Sequence, residues 1–432
     1  MPYICLGWFI IRANSGKTLL SLFTFLLGFA VITVGYQIFY FNIQEINFLP
    51  GGAILTLITY SSFLFLLLVP SNIYSEKFDY LHYAKIIKYL ILIEGSLGIF
   101  QLFVTMLMKS FSFDGSMGDK VQGTISPFSF MVGTSDFGNI SFATNMVFLL
   151  LFFTPYVLTY KKGKFTLSLG LFSLICASVI HLLFALIISV FVIGFLYRRF
   201  TKLSYRALYV LVFIGIGFGV FAKLQPSNFT LIKNYAIIYA KAKSPKVTST
   251  IDAVTILPQE YPTMMLLGFG PGQYSSRAGL IASGKYLGGM DNNNEYFFLP
   301  NDMSSPFEKV LFPHWLESTN KGLYGGSAMS KPFYSILSVF TEFGLITLII
   351  VIGLIGYLVL KLRGIFLRIT SGTLEKANKF LAFSVASAIL FLFFICFIEN
   401  YLEISQAIFP GLLMIKYFYT YIQRQLEIAP NV

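Results

Sequence analysis

The sequence predicts an all-α polytopic membrane protein, and three observations carry that reading. Of 432 residues, 56% are hydrophobic and only 12% are charged, against ~25% charged in an ordinary soluble domain. The mean hydropathy is +0.75, with 48 Phe and 26 Tyr contributing heavily. Apolar runs long enough to cross ~30 Å of hydrocarbon recur along the whole chain.

About ten spans can be drawn, at 18–40, 51–70, 83–108, 140–160, 165–180, 181–198, 205–222, 333–360, 378–398 and 404–421. The first is too long for the apolar core of a cleaved leader and lacks a small-residue cleavage site, so it reads as a span. The fifth and sixth share one run that is too long for a single helix, and a tight turn is expected near Ser178–His181. These spans divide the chain into a bundle of about seven helices (1–222), one large loop (223–332) and about three C-terminal helices (333–432).

Lys and Arg orient the bundle. With the N-terminus inside, the short inner segments hold Arg12 and Lys17, Lys161, Lys162 and Lys164, and Arg198, Arg199, Lys202 and Arg206. The short outer segments 42–50 and 399–403 hold none, as the positive-inside rule requires. Both termini are therefore expected in the cytoplasm. The net charge of +12 follows this asymmetry, so nucleic acid is not an expected partner; the lipid bilayer is.

The loop 223–332 is expected outside the cell interior. It carries ten Lys/Arg against seven Asp/Glu, which is compatible with export because long loops translocate regardless of charge. Its aromatic patches, "NEYFFLP" and "LFPHWLE", predict a folded, partly helical cap rather than a plain connector.

Within this loop stands "MLLGFGPGQYSSRAG", 265–279. It lacks the third glycine of a dinucleotide fingerprint and the GK[ST] of a phosphate-binding loop. Gly268, Gly270 and Gly272 can take positive φ, and Pro271 fixes its own. Successive amides turned this way can form an anion nest, to which Arg277 would add a bidentate contact. The competing reading is a turn into a short helix with Arg277 merely solvated.

Ionisable groups in or beside spans form a second signal. Glu94 and Gln101 share one face of the third span. His181 lies near the outer end of the fifth and sixth, Glu342 sits in "SVFTEFGLI", and Glu399, Asn400 and Glu403 cluster at the last outer turn. Each could equally be a structural hydrogen-bonding group. In "GTSDFGNISFATN", Asp136, Asn139 and Asn145 suit sugar hydroxyls, although Asn139 also suits a helix N-cap. Cys5, Cys176 and Cys396 show no disulfide or zinc spacing. His82, His181 and His314 are too scattered for a sequence-local metal site, and no zincin or G-x-S-x-G motif occurs.

The layout, with many spans, a large outer loop containing "GFGPGQYSSRAG", then "FTEFGLI" in the following span, resembles the O-antigen polymerase/ligase superfamily. "GTSDFGNISFATN" is similar to a helix-opening stretch of that family. The resemblance implies a GT-C-like glycosyltransferase of the bacterial inner membrane, with the large loop periplasmic. It implies polymerisation of undecaprenyl-pyrophosphate-linked repeat units into O-antigen or a related polysaccharide. The lipid pyrophosphate would leave without help from a metal or other cofactor, and a chain-length regulator protein could attend. Arg277 would hold the diphosphate, helped by Lys223 or Lys285. His181, Glu342 or Glu399 would take the acceptor proton. Gly270, Gly272, Tyr274, Asn139 and Asn145 would bind substrate.

Two departures bear on this. "AMSKPFYSIL" lacks the His-Asn pair that ligases of the superfamily carry before the span after the loop, which favours a polymerase. "ASVIHLL" replaces the "SR" of many relatives, leaving His181 where an arginine would stand. The alternatives are an O-antigen ligase and a transporter or flippase of a lipid-linked oligosaccharide.

Overall fold

The computed structural model describes residues 16–44, 47–68, 80–108, 115–131, 138–197, 233–234, 237–238, 241, 244–284, 302–320, 331–369 and 373–428. Every regular element among them is helical. Helix α1 (Gly16–Gln44) is followed by α2 (Pro50–Thr59) and α3 (Ser61–Leu68). Next come α4 (Tyr80–Met108), α5 (Gly138–Tyr160), α6 (Lys164–Cys176) and α7 (Ile180–Leu196). The loop region contributes α8 (Pro245–Thr255), α9 (Leu257–Glu260), α10 (Met264–Leu267) and α11 (Arg277–Ala282). A π-helical turn at Phe307–Leu311 then runs into α12 (Phe312–Asn320). The chain closes with α13 (Ser335–Arg368), α14 (Thr373–Ile395) and α15 (Ser405–Ile428).

Five of these helices are long and apolar enough to cross a membrane: Leu20–Phe41 in α1, then α4, α5, α13, and Lys376–Ile395 in α14. Helices α2, α6 and α7 are apolar but shorter. The protein is thus a helical, multi-pass membrane protein. The second expected span is divided at Tyr60, between α2 and α3. The seventh, 205–222, lies outside the described residues. The turn expected inside the long fifth-sixth run falls between Cys176 and Ile180, where Ser178 takes φ +59°.

By contacts the chain divides into two units. One comprises 1–70, 234–354 and 395–405; the other comprises 71–233, 355–394 and 406–432. In the second unit α5 is the central element, with 78% of its span buried in protein. Glu94 and Gln101 of α4 do share a face there, and both are structural. The Glu94 carboxylate accepts the N–H and hydroxyl of Thr124. Gln101 accepts the N–H groups of Gln122 and Gly123, each at 2.8 Å, and donates to the Gly123 and Ser126 carbonyls.

The first unit contains the described part of the large loop. Its apolar core joins Tyr40 of α1 to Phe269, Tyr274, Leu280, Phe307, Leu311 and Trp315 of the loop, and to Phe333 and Leu337 around the start of α13. The "LFPHWLE" aromatics are therefore core: Trp315 packs on Phe333 with ring centroids 5.5 Å apart. "NEYFFLP" lies outside the described residues.

Candidate active site

The glycine-rich stretch folds against α13. That helix is interrupted at Gly344, whose φ of +79° and ψ of +171° belong to a region open essentially to glycine. Next to the break, the carbonyls of Thr341 and Glu342 accept the N–H groups of Phe269 and Gly270, at 2.9 and 2.8 Å. Gly268, Gly270 and Gly272 all take positive φ, at +75°, +97° and +73°, as the sequence predicts. The hydroxyls of Tyr36 and Tyr40 donate to the carbonyls of Leu267 and Gly268, fixing the start of the loop.

The predicted anion nest forms, and its anion is the chain's own. Glu342 Oε2 accepts the Gly272 N–H at 2.7 Å, and Oε1 accepts those of Tyr274 and Ser276 at 3.0 and 2.9 Å. Three amide donors on this buried carboxyl group engage both of its oxygens. Gly270 and Gly272 spend their amides on Glu342 rather than on a substrate, and Glu342 holds the loop instead of standing open to an acceptor hydroxyl. The Tyr274 ring is fully buried in the core beside Phe269, and burial pushes its phenol pKa up.

Ser276 caps the next helix, its side chain accepting the Gly279 N–H at 3.1 Å. Arg277 opens α11 and is only 8% exposed, so it is not the solvated arginine of the simpler reading. It lies in the field of Glu403, whose Oε2 accepts the Ala278 N–H at 3.1 Å. Burial and the nearby Glu342 charge push the Glu403 carboxyl up to about 8, against the opposing pull of Arg277 and these amides.

Ser275 ties the loop to the segment after α14. Its carbonyl accepts from Asn400 Nδ2 at 2.8 Å and from Ser338 Oγ at 2.8 Å. Glu399 is buried, with Oε1 3.9 Å from Lys331 Nζ. Glu399 Oε2, Glu403 Oε1 and Tyr60 Oη accept or donate no hydrogen bond among the described residues. Among the described residues, the first unit thus holds the buried guanidinium of Arg277 and two buried carboxyl groups, Glu399 and Glu403, each with one oxygen that accepts no hydrogen bond. Among the described residues no three His, Cys, Asp or Glu side chains gather to hold a metal ion.

Of the other expected site residues, His181 lies in the first turn of α7, in the second unit. Asn139 and Asn145 belong to that unit too. Asn139 donates to Asp119 Oδ1 at 2.9 Å and its Oδ1 takes the Ile140 N–H, so it serves its own helix start. Asn145 donates to the Gln406 carbonyl at 3.1 Å. Asp136, Lys223 and Lys285 lie outside the described residues. The pairing of Glu403 with α11 is what sequence reasoning missed. The acid was visible in the cluster at the last outer turn, but its partner lies 125 positions away.

No family model, curated protein or solved structure matches the chain.

Proposed function

We propose that the chain is a membrane glycosyltransferase that lengthens a surface polysaccharide such as O-antigen, using undecaprenyl-pyrophosphate-linked repeat units at the outer face of a bacterial inner membrane. The observation that carries this reading is the buried Arg277 in the field of Glu403, whose Oε1 accepts no hydrogen bond among the described residues. It stands in the unit that contains the large loop.

In the proposed step the acceptor hydroxyl attacks the anomeric carbon of the donor sugar. The C–O bond to the diphosphate breaks, its electron pair stays on the diphosphate, and the hydroxyl proton passes to a carboxylate. Arg277 opposes the charge that grows on the leaving group, which favours the transition state over the ground state. Glu399 takes the proton, or Glu403 in its ionised form, which its pKa of about 8 makes available near and above that pH. Glu342 is given a positioning role, because its bonds to Gly272, Tyr274 and Ser276 deliver Arg277.

Proteoliposomes loaded with a defined lipid-linked repeat unit separate this reading from transport. Elongated lipid-linked glycan is the expected product. Movement of the repeat across the bilayer without elongation would replace the proposal with a flippase.

A further inference from the structure

A groove in the first unit lies next to Glu399 but is lined by none of the residues given a role in the proposed reaction. It has a volume of about 260 Å³ and is lined by Lys246, Val247, Thr250, Ile251, Tyr334 and Phe397. The spacing of the first four puts them along one side of α8. Lys246 is buried, donates to the Ile398 carbonyl, and stands 5.7 Å from the centre of the Tyr334 ring. The hydroxyls of Thr250 and Tyr334 are 3.1 Å apart. The outer wall is apolar and open: Ile251 is 46% and Phe397 47% exposed.

The sequence positions of two lining residues fix the depth of this groove. Tyr334 immediately precedes α13, and Phe397 follows the last residue of the α14 span by two positions. Two helices long and apolar enough to cross a membrane separate them, a topology that would put both on the same side, near the level where spans meet water. Lipid phosphates lie at that level, and interfacial tyrosines are common there.

We propose that this groove seats an anionic phospholipid of the surrounding bilayer, with Lys246, Thr250 and Tyr334 on its phosphate and Phe397, Val247 and Ile251 against its first methylenes. The lining decides between ligands. A free phosphate would gain nothing from the apolar wall, and a sugar would leave most of its hydroxyls facing hydrocarbon. A phosphate tethered to an acyl chain satisfies both halves. Burial lowers the Lys246 pKa to about 8, with Glu399 opposing that shift and Lys331 adding to it; an added anion would restore the full charge.

Native mass spectrometry of the full-length protein in detergent micelles tests this, with phosphatidylglycerol, phosphatidylcholine and inorganic phosphate as separate arms. Wild-type protein is expected to retain phosphatidylglycerol over phosphatidylcholine, and inorganic phosphate is expected not to displace it. Lys246→Gln should weaken that retention about fivefold, the worth of one lysine at an anionic lipid surface. Phe397→Ala, at a half-exposed position, should weaken retention of both lipids. Equal retention of the two lipids, or unchanged retention in both variants, would overturn the proposal. So would displacement by inorganic phosphate, which would mark an anion site, or by a polyprenyl diphosphate, which would mark a substrate subsite. The readout needs no glycosyl transfer, so its failure leaves the proposed reaction standing.

Discussion

Glu342 Oε2 accepts the backbone N–H of Gly272 across 2.7 Å, and with it the loop that carries Arg277 is fastened to a membrane-spanning helix. Glu342→Ala leaves the amides of Gly272, Tyr274 and Ser276 buried without their acceptor. A buried donor left without its acceptor costs roughly 1–3 kcal/mol, so the variant should lose at least about 3 kcal/mol. Thermal unfolding in detergent reads this directly, and an unchanged midpoint would mean that the loop is held by other contacts.

The same loop meets α2 backbone to backbone. A Cβ added at Gly272 would lie 2.1 Å from the Gly52 carbonyl oxygen, and one at Gly52 would lie 2.4 Å from that of Gly272. Gly272 also has φ +73°, which an L side chain rarely adopts. Gly272→Ala should therefore prevent stable insertion, whereas Gly353→Ala, with nothing within 4 Å, should be neutral. Expression as a monodisperse peak on size exclusion distinguishes the two.

These two relationships show how far the sequence could be read. The three left-handed glycines, the nest and the short helix after it follow from local rules at Gly268, Gly270, Gly272 and Ser276. What fills the nest does not, because Glu342 is 70 positions from Gly272 and meets it where α13, broken at Gly344, packs against the Leu266 backbone. Span-like helices were legible from composition, as in α4 and α5. The split at Tyr60 was not, since both flanks are equally apolar.

Glu403 gives a pH dependence of defined sign. Its pKa rises from 4.5 to about 8 on folding, so the folded chain keeps a proton that the unfolded chain releases. The resulting stability is complete below 4.5 and is lost as pH rises through about 8. Glu403→Gln should flatten the decline in unfolding midpoint across that window. A decline of equal slope in the variant would assign it to another group.

Arg277 is where stability and chemistry part. Arg277→Lys keeps a positive charge opposite Glu403 but loses the planar fork that fits a diphosphate. It should unfold near the wild-type temperature while elongation falls at least about tenfold, the equivalent of ~1.4 kcal/mol in the barrier. Equal activity in the two proteins would mean that a point charge suffices there.

The most direct test of the account is chain elongation by purified protein supplied with a defined lipid-diphosphate-linked repeat unit, wild type beside Arg277→Ala. Wild type should give a ladder of lengthened glycans, and Arg277→Ala, still purifying as a folded membrane protein, only starting material. A full ladder from Arg277→Ala, or none from wild type under conditions where the repeat unit is intact and accessible, would contradict it.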